Sequence, residues 1–108
     1  MTDPRKISEK VFQAEVIKAA RIHGWRVAHF RPGMTQRGRW VTPVQGDGAG
    51  FPDLVLVKDR VLFVELKTGD GVISEKQKAW ITALGLAGAS VDVWRPDQID
   101  EILEVLAT

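Results

Sequence analysis

Hydrophobic and polar positions change period several times along this chain, and each change predicts an element. Ser8 is placed to cap a helix running to about His23, with Gly24 in the left-handed conformation that ends it. From Trp25 to Phe30 (WRVAHF), β-branched and aromatic residues are mixed with polar ones at short spacing, which predicts a strand. Arg31 to Pro52 has no clean period and sets Pro and Gly around an arginine-bearing centre, so it reads as a long loop. A loop of that length inside a compact domain is a candidate substrate-contacting flap, with a plain insertion as the other reading. Two apolar runs follow, Asp53 to Val57 and Val61 to Lys67, separated by Lys58, Asp59 and Arg60; they predict a β-hairpin. Leu54 to Val57 and Val61 to Val64 are continuously apolar, which implies central strands covered by helices on both faces. Ser74, with Gln77 three residues on, fits a capping box opening a helix to about Leu84, ended by Gly85 and Gly88. Val91 to Trp94 (VDVW) predicts a short strand. A last helix starts at Pro96 or Asp97, with Ile99, Ile102, Leu103 and Leu106 as its apolar stripe. The expected order is α, β, β, β, α, β, α in one α/β domain over residues 1–108.

Three acids break this pattern. Glu65 and Lys67 follow the apolar run Val61 to Val64, and the strand period of two points both to one face of a buried strand. A buried carboxylate without a partner costs several kcal/mol, so such a group has a counter-ion, a metal or a function. Asp53 opens the neighbouring strand and can reach the same sheet end. A two-residue turn at Asp59 and Arg60 would pair Asp53 with Leu66, on the wrong face; a three-residue loop from Lys58 to Arg60, or a bulge, pairs it with Glu65. A site here therefore requires the longer loop. On the first helix, at about 100° per residue, Glu15 falls among Val11, Ala19 and Ile22, with Glu9, Lys10, Gln13 and Arg21 opposite. Glu15 is then expected on the core-facing side. Each acid also has an ordinary reading: Glu15 at the edge of its stripe, Glu65 paired with Lys67, Asp53 capping a strand start. Together they form an oxygen-rich cluster suited to Mg²⁺ or Mn²⁺, ions that can activate a water and neutralise a phosphate under attack. A lysine beside them can orient that water or stabilise developing negative charge.

Composition narrows the chemistry further. At 44% hydrophobic and 27% charged residues the chain is ordinary globular protein. It has no cysteine, which removes disulfides, thiolate zinc sites and cysteine nucleophiles, and two histidines make a poor all-histidine site; a metal must be held by oxygen. No apolar run approaches the roughly 20 residues of a membrane span, and Met1 to Lys10 has no apolar signal core, so a cytoplasmic protein without a membrane partner is expected. The net charge of +1 hides a lopsided distribution. Six cations (Lys18, Arg21, Arg26, Arg31, Arg37, Arg39) and no acid lie between Val16 and Gly46, whereas four acids and no cation lie from Asp97 onward. The basic stretch suits a phosphate backbone.

Phe51-Pro52-Asp53 followed, after a short hairpin, by Glu65-Leu66-Lys67 resembles the PD…(D/E)xK signature of the restriction-endonuclease-like nucleases. Gly50-Phe51-Pro52-Asp53-Leu54, Phe63-Val64-Glu65-Leu66-Lys67 and Ser74-Glu75-Lys76-Gln77-Lys78-Ala79-Trp80 resemble, more narrowly, the VRR-NUC family, and Val91-Asp92-Val93-Trp94-Arg95 is similar to its final strand. The likeness runs from Glu15 to Arg95. It implies a restriction-endonuclease-like fold, a small mixed sheet with helices on both sides, and metal-assisted hydrolysis of DNA phosphodiesters. It also implies that Asp53 and Glu65 bind the metal directly, that the Leu66 backbone carbonyl completes a ligand, that Lys67 acts on the water or the transition state, and that Glu15 holds a metal-bound water or a second ion. The family places Gln77 beside the lysine, whereas the capping reading bonds it back to Ser74. Ser74 reads as a cap, Trp80 as core, His23 as a helix-end residue and His29 as a strand residue near the loop. Arg31, Arg37 and Arg39 are candidate phosphate contacts, or a solvated loop.

No zinc finger or helix-turn-helix is recognisable, so DNA shape and phosphate position would set specificity; no nucleotide cofactor is expected. Stand-alone members of the resembled family are associated with branched DNA, notably four-way junctions, which implies a homodimer with opposed active sites. The rivals are a monomeric flap or fork nuclease, a DNA-binding module that keeps the fold without cutting, and a partner-binding subunit.

Overall fold

Ser8 caps the first helix as its sequence predicts, the hydroxyl accepting from the Val11 N–H at 3.2 Å, and Gly24 ends it at φ 87°. In the computed structural model, which describes residues 7–30, 33–34, 40–41 and 44–108, this is α1 (Glu9–Ile22). It is followed by β1 (Arg26–His29), β2 (Gly33–Met34), β3 (Trp40–Val41), β4 (Leu54–Val57), β5 (Val61–Leu66), α2 (Glu75–Leu86), β6 (Ser90–Trp94), a 3-10 turn (Pro96–Gln98) and α3 (Ile99–Ala107). The segment expected as a long loop thus contains an antiparallel pair, with Gly33 opposite Val41 and Met34 opposite Trp40. Strands two residues long leave no period to read.

The main sheet has the order β1-β4-β5-β6, with β1, β4 and β5 antiparallel and β6 parallel to β5 through α2. Val57 pairs with Val61 and Leu54 with Val64, so Lys58, Asp59 and Arg60 form a three-residue loop. That is the register the site requires, because the same ladder continued by one residue sets Asp53 opposite Glu65.

Alternation divides the sheet into two unlike faces. Leu54, Leu56, Leu62, Val64 and Leu66 are buried in one core with Phe12, Val16 and Ala20 of α1 and Ile102 and Leu106 of α3. Trp25 closes this layer, its indole N–H donating to the Leu106 carbonyl at 2.8 Å. The other face carries Phe63 and Glu65 and is covered by α2 and the turn before β4, where Phe51 meets Phe30, Phe63 and Trp80 edge to face at 5.3, 6.2 and 5.0 Å. The expected cover on both sides is therefore only half realised: α2 buries no residue fully, and Val57 and Val61, at the hairpin end, are 39% and 43% exposed.

Candidate active site

Asp53 and Glu65 are the buried charged residues of the described chain, at 8% and 2% exposure. Asp53 stands just before β4, where its Oδ2 accepts the Leu66 N–H at 2.9 Å and its carbonyl accepts the Phe30 N–H at 2.7 Å. Both its side chain and its backbone are therefore tied to neighbouring strands. Gly50 makes this entry possible. It sits at φ 86°, and a Cβ there would stand 2.5 Å from the Lys76 carbonyl carbon and 2.8 Å from the Gln77 nitrogen. Only a residue without a side chain lets the turn lie directly on the backbone of α2.

That close approach delivers Gln77, which caps α2 as the Ser74 spacing predicts and bonds to Glu65, where the resemblance set it beside the lysine. Its Oε1 accepts the Ser74 N–H at 2.8 Å while the Ser74 hydroxyl accepts the Gln77 N–H at 3.2 Å, completing the capping box. With the amide oxygen committed to a backbone donor, the NH₂ group points the other way, and Nε2 donates to Glu65 Oε1 at 3.3 Å. One side chain thus caps α2 and orients the buried carboxyl.

Glu65 is pushed up to about 9, first by burial, then by hydrogen bonding to Asp53 and by its charge, with Lys67 opposing and Glu9 adding to the rise. Its Oε2 is buried and no described donor reaches it. Two adjoining carboxyls out of water, one with an orphaned oxygen, favour a shared proton or a cation between them. Lys67 is half-buried at the end of β5, its N–H donating to the Trp94 carbonyl at 3.1 Å.

Glu15 does not take the core-facing position expected of it. Glu15 is exposed and lines shallow hollows between α1 and α3, beside Val11, Lys18 and Ile99. The buried stripe of α1 runs through Phe12, Val16 and Ala20, leaving Val11 and Ile22 51% and 70% exposed. The same stripe carried back one turn reaches Glu9, the acid of α1 whose charge acts on Glu65. The spacing Glu9, Phe12, Val16, Ala20 is the periodicity that marks this face of α1. Gln13, on the adjoining edge, lies 3.5 Å from His29 Nδ1.

Of the other candidates, Ser74 is a cap, and Trp80 is fixed by its Phe51 contact and by an indole bond to the Asp47 carbonyl at 2.9 Å. His23 ends α1, its N–H donating to the Ala19 and Ala20 carbonyls. Arg31, Arg37 and Arg39 lie outside the described residues.

Among the described residues no group of three or more His, Asp or Glu is gathered closely enough to cage an ion. A pair of carboxylates with an unpartnered oxygen still suits Mg²⁺, which keeps several waters and is bound through one or two carboxylates. The Leu66 backbone, anchored to Asp53, stands at the same point. The donor set therefore fits a hard divalent cation, with water or a backbone carbonyl completing its sphere.

No curated protein and no solved structure matched the chain. The model of the VRR-NUC domain matches residues 13–98, which span α1 from Gln13 through the 3-10 turn and so hold Asp53, Glu65, Lys67 and Gln77. With that match covering most of its length and the buried Asp53–Glu65 pair where the PD…(D/E)xK pattern sets it, the chain belongs to the VRR-NUC family of the PD-(D/E)xK nucleases, a family acting on DNA.

Proposed function

We propose that this chain is a divalent-metal-dependent endonuclease that hydrolyses phosphodiesters in branched DNA, four-way junctions among them, as a homodimer. The observation that carries the catalytic part is the buried Asp53–Glu65 pair with its orphaned Oε2, set beside Lys67 at the end of β5. Asp53 and Glu65 would hold Mg²⁺ or Mn²⁺, with the Leu66 carbonyl as a further oxygen. When bound, the ion supplies Lewis-acid stabilisation of the phosphate and a more acidic water.

The chain's own residues do the rest. Asp53 is held rigid by the Leu66 N–H, so one ligand oxygen is fixed before any ion arrives. Gln77 fixes one oxygen of Glu65 and leaves the other available. Lys67 places a cation near the reacting phosphate, where it orients the attacking water and offsets charge as it develops. Glu9 adds negative potential near Glu65, while the part expected of Glu15, holding a metal-bound water or a second ion, would have to be played from its exposed position on α1. Arg31, Arg37 and Arg39 would contact backbone phosphates. If they do, Arg37→Ala/Arg39→Ala lowers the salt slope of DNA binding by about 0.9 per lost contact.

The branched-DNA part extends to this chain the association of stand-alone VRR-NUC members with four-way junctions, and the sequence carries no recognisable base-reading element. Two opposed incisions need two sites related by a two-fold axis, and the exposed Val11, Ile22 and Leu103 give α1 and α3 apolar surface for self-association. The test is cleavage of a labelled four-way junction beside linear duplex and flap DNA, with Mg²⁺, Mn²⁺ or EDTA, together with sedimentation. Metal-dependent paired cuts by a dimer support the proposal. Flap cutting by a monomer replaces it with the fork-nuclease reading, and binding without cutting with a non-cleaving module.

A further inference from the structure

Immediately after Lys67 the chain makes a tight turn, the Gly71 N–H donating to the Thr68 carbonyl at 3.0 Å and Gly69 lying at φ 53°. This turn lies beside the lysine. A Cβ on Gly71 would stand 3.5 Å from Lys67 Cδ, ordinary van der Waals contact, and 3.0 Å from the Thr68 carbonyl oxygen, so the glycine backbone runs beside the lysine stem about one carbon atom away. Arg95 holds that backbone from the neighbouring strand. Its Nη2 donates to the Gly71 carbonyl at 2.9 Å and its Nη1 to the Gly69 carbonyl at 3.5 Å. The root of the arginine is fixed as well, its N–H donating to Gln98 Oε1 at 3.0 Å, and the residue before it, Trp94, accepts the Lys67 N–H. Lys67 and Arg95 thus leave adjacent, parallel strands at the same height, and the guanidinium reaches from one strand end over the turn that follows the other.

We propose that Arg95 is a positioning residue for Lys67: by clamping the Gly69 and Gly71 carbonyls it fixes the turn that runs beside the lysine stem and aims the ammonium at the reacting phosphate. This rests on the nuclease reading of the Asp53–Glu65–Lys67 site. The geometry requires arginine, because a planar fork can serve two carbonyls at once and a lysine ammonium is a single point of charge on a flexible stem. Arg95 also lines, with Lys78, the hollow beside the turn, and a direct phosphate contact is the competing role.

The full chain carrying Arg95→Ala, Arg95→Lys, Lys67→Ala or Lys67→Ala/Arg95→Ala separates the two. Three quantities are read: the single-turnover rate on the labelled DNA that the unmodified chain cuts fastest, the dissociation constant of that DNA across a KCl series, and amide exchange over residues 68–73. Both Arg95 variants are expected to slow cleavage about 10- to 100-fold, with affinity and salt slope unchanged and exchange over the turn accelerated. The double variant is expected to be no slower than Lys67→Ala, since a displaced lysine and a missing one lose the same interaction. Rescue by Arg95→Lys with a reduced salt slope in Arg95→Ala would assign Arg95 to phosphate binding. Additive losses would separate it from Lys67, and unchanged exchange would remove the clamp. If the unmodified chain cuts no DNA, it is the nuclease reading that falls, and the exchange measurement alone decides the clamp.

Discussion

A carboxyl held up to about 9 by burial and by its neighbour Asp53 changes what pH does to this protein. In the unfolded chain Glu65 loses its proton near its ordinary 4.5, whereas in the ion-free fold it keeps the proton to about 9. Between those values the folded state binds more protons than the unfolded one. The stability this group contributes is therefore complete below about 4.5 and is lost as pH rises toward 9. Glu65→Gln replaces it with a neutral group of the same shape. Thermal melts in EDTA should show the unmodified chain losing stability relative to this variant from pH 5 to pH 9, and a constant gap would mean that the carboxyl is not held protonated. An ion must displace that proton, so Mg²⁺ affinity should rise over the same range. The variant should also lose cleavage while still folding and binding DNA. On α1, Glu9→Gln should slow cleavage and Glu15→Gln leave it unchanged; the reverse result would restore the acid first expected from sequence. Asp53, Glu65 and Lys67 were legible because a period of two admits no ambiguity about which face a residue takes. Glu15 was misplaced because Val11, Ala19 and Ile22 offer a second apolar stripe beside the true one, and periodicity alone does not say which stripe the sheet will cover.

Among the elements, the β4–β5 hairpin and the turn before β4 carry the most consequence. Deleting Val55 from within β4 moves Leu54 and Asp53 one place along the ladder, so that Asp53 falls opposite Val64 on the core face and Leu54 turns outward. Cleavage should vanish, with a measurable loss of stability in urea; a fully active deletion would mean that the register is not what assembles the site. Gly50→Ala combines a left-handed φ with a clash against Lys76 and Gln77. It should cost about 1–3 kcal/mol in denaturant unfolding and slow cleavage by displacing Gln77. The hairpin loop could be deduced in advance because only one loop length brings the two acids together. The partial cover of the second sheet face could not. A run of valines looks alike whether a helix lies over all of it or over half, and that depends on where α2 crosses.

At the scale of the whole molecule the two layers are unequal. α1 and α3 bury a continuous core with the sheet, whereas α2 holds its side by half-buried Trp80, Ile81 and Leu84 and by polar bonds at its first turn. Local opening should therefore begin at α2, and its amides should exchange faster than those of β4, β5 and α1 in the ion-free protein. Gln77 then acquires a meaning beyond support. Its amide joins the start of the least anchored helix to the carboxyl whose charge depends on whether a cation is present. Fraying of that first turn and the charge of Glu65 are in this way coupled through one hydrogen bond. Loading the site should quieten the helix, and loosening the helix should weaken the site, so that exchange at Lys76 to Lys78 becomes a built-in gauge of ion occupancy.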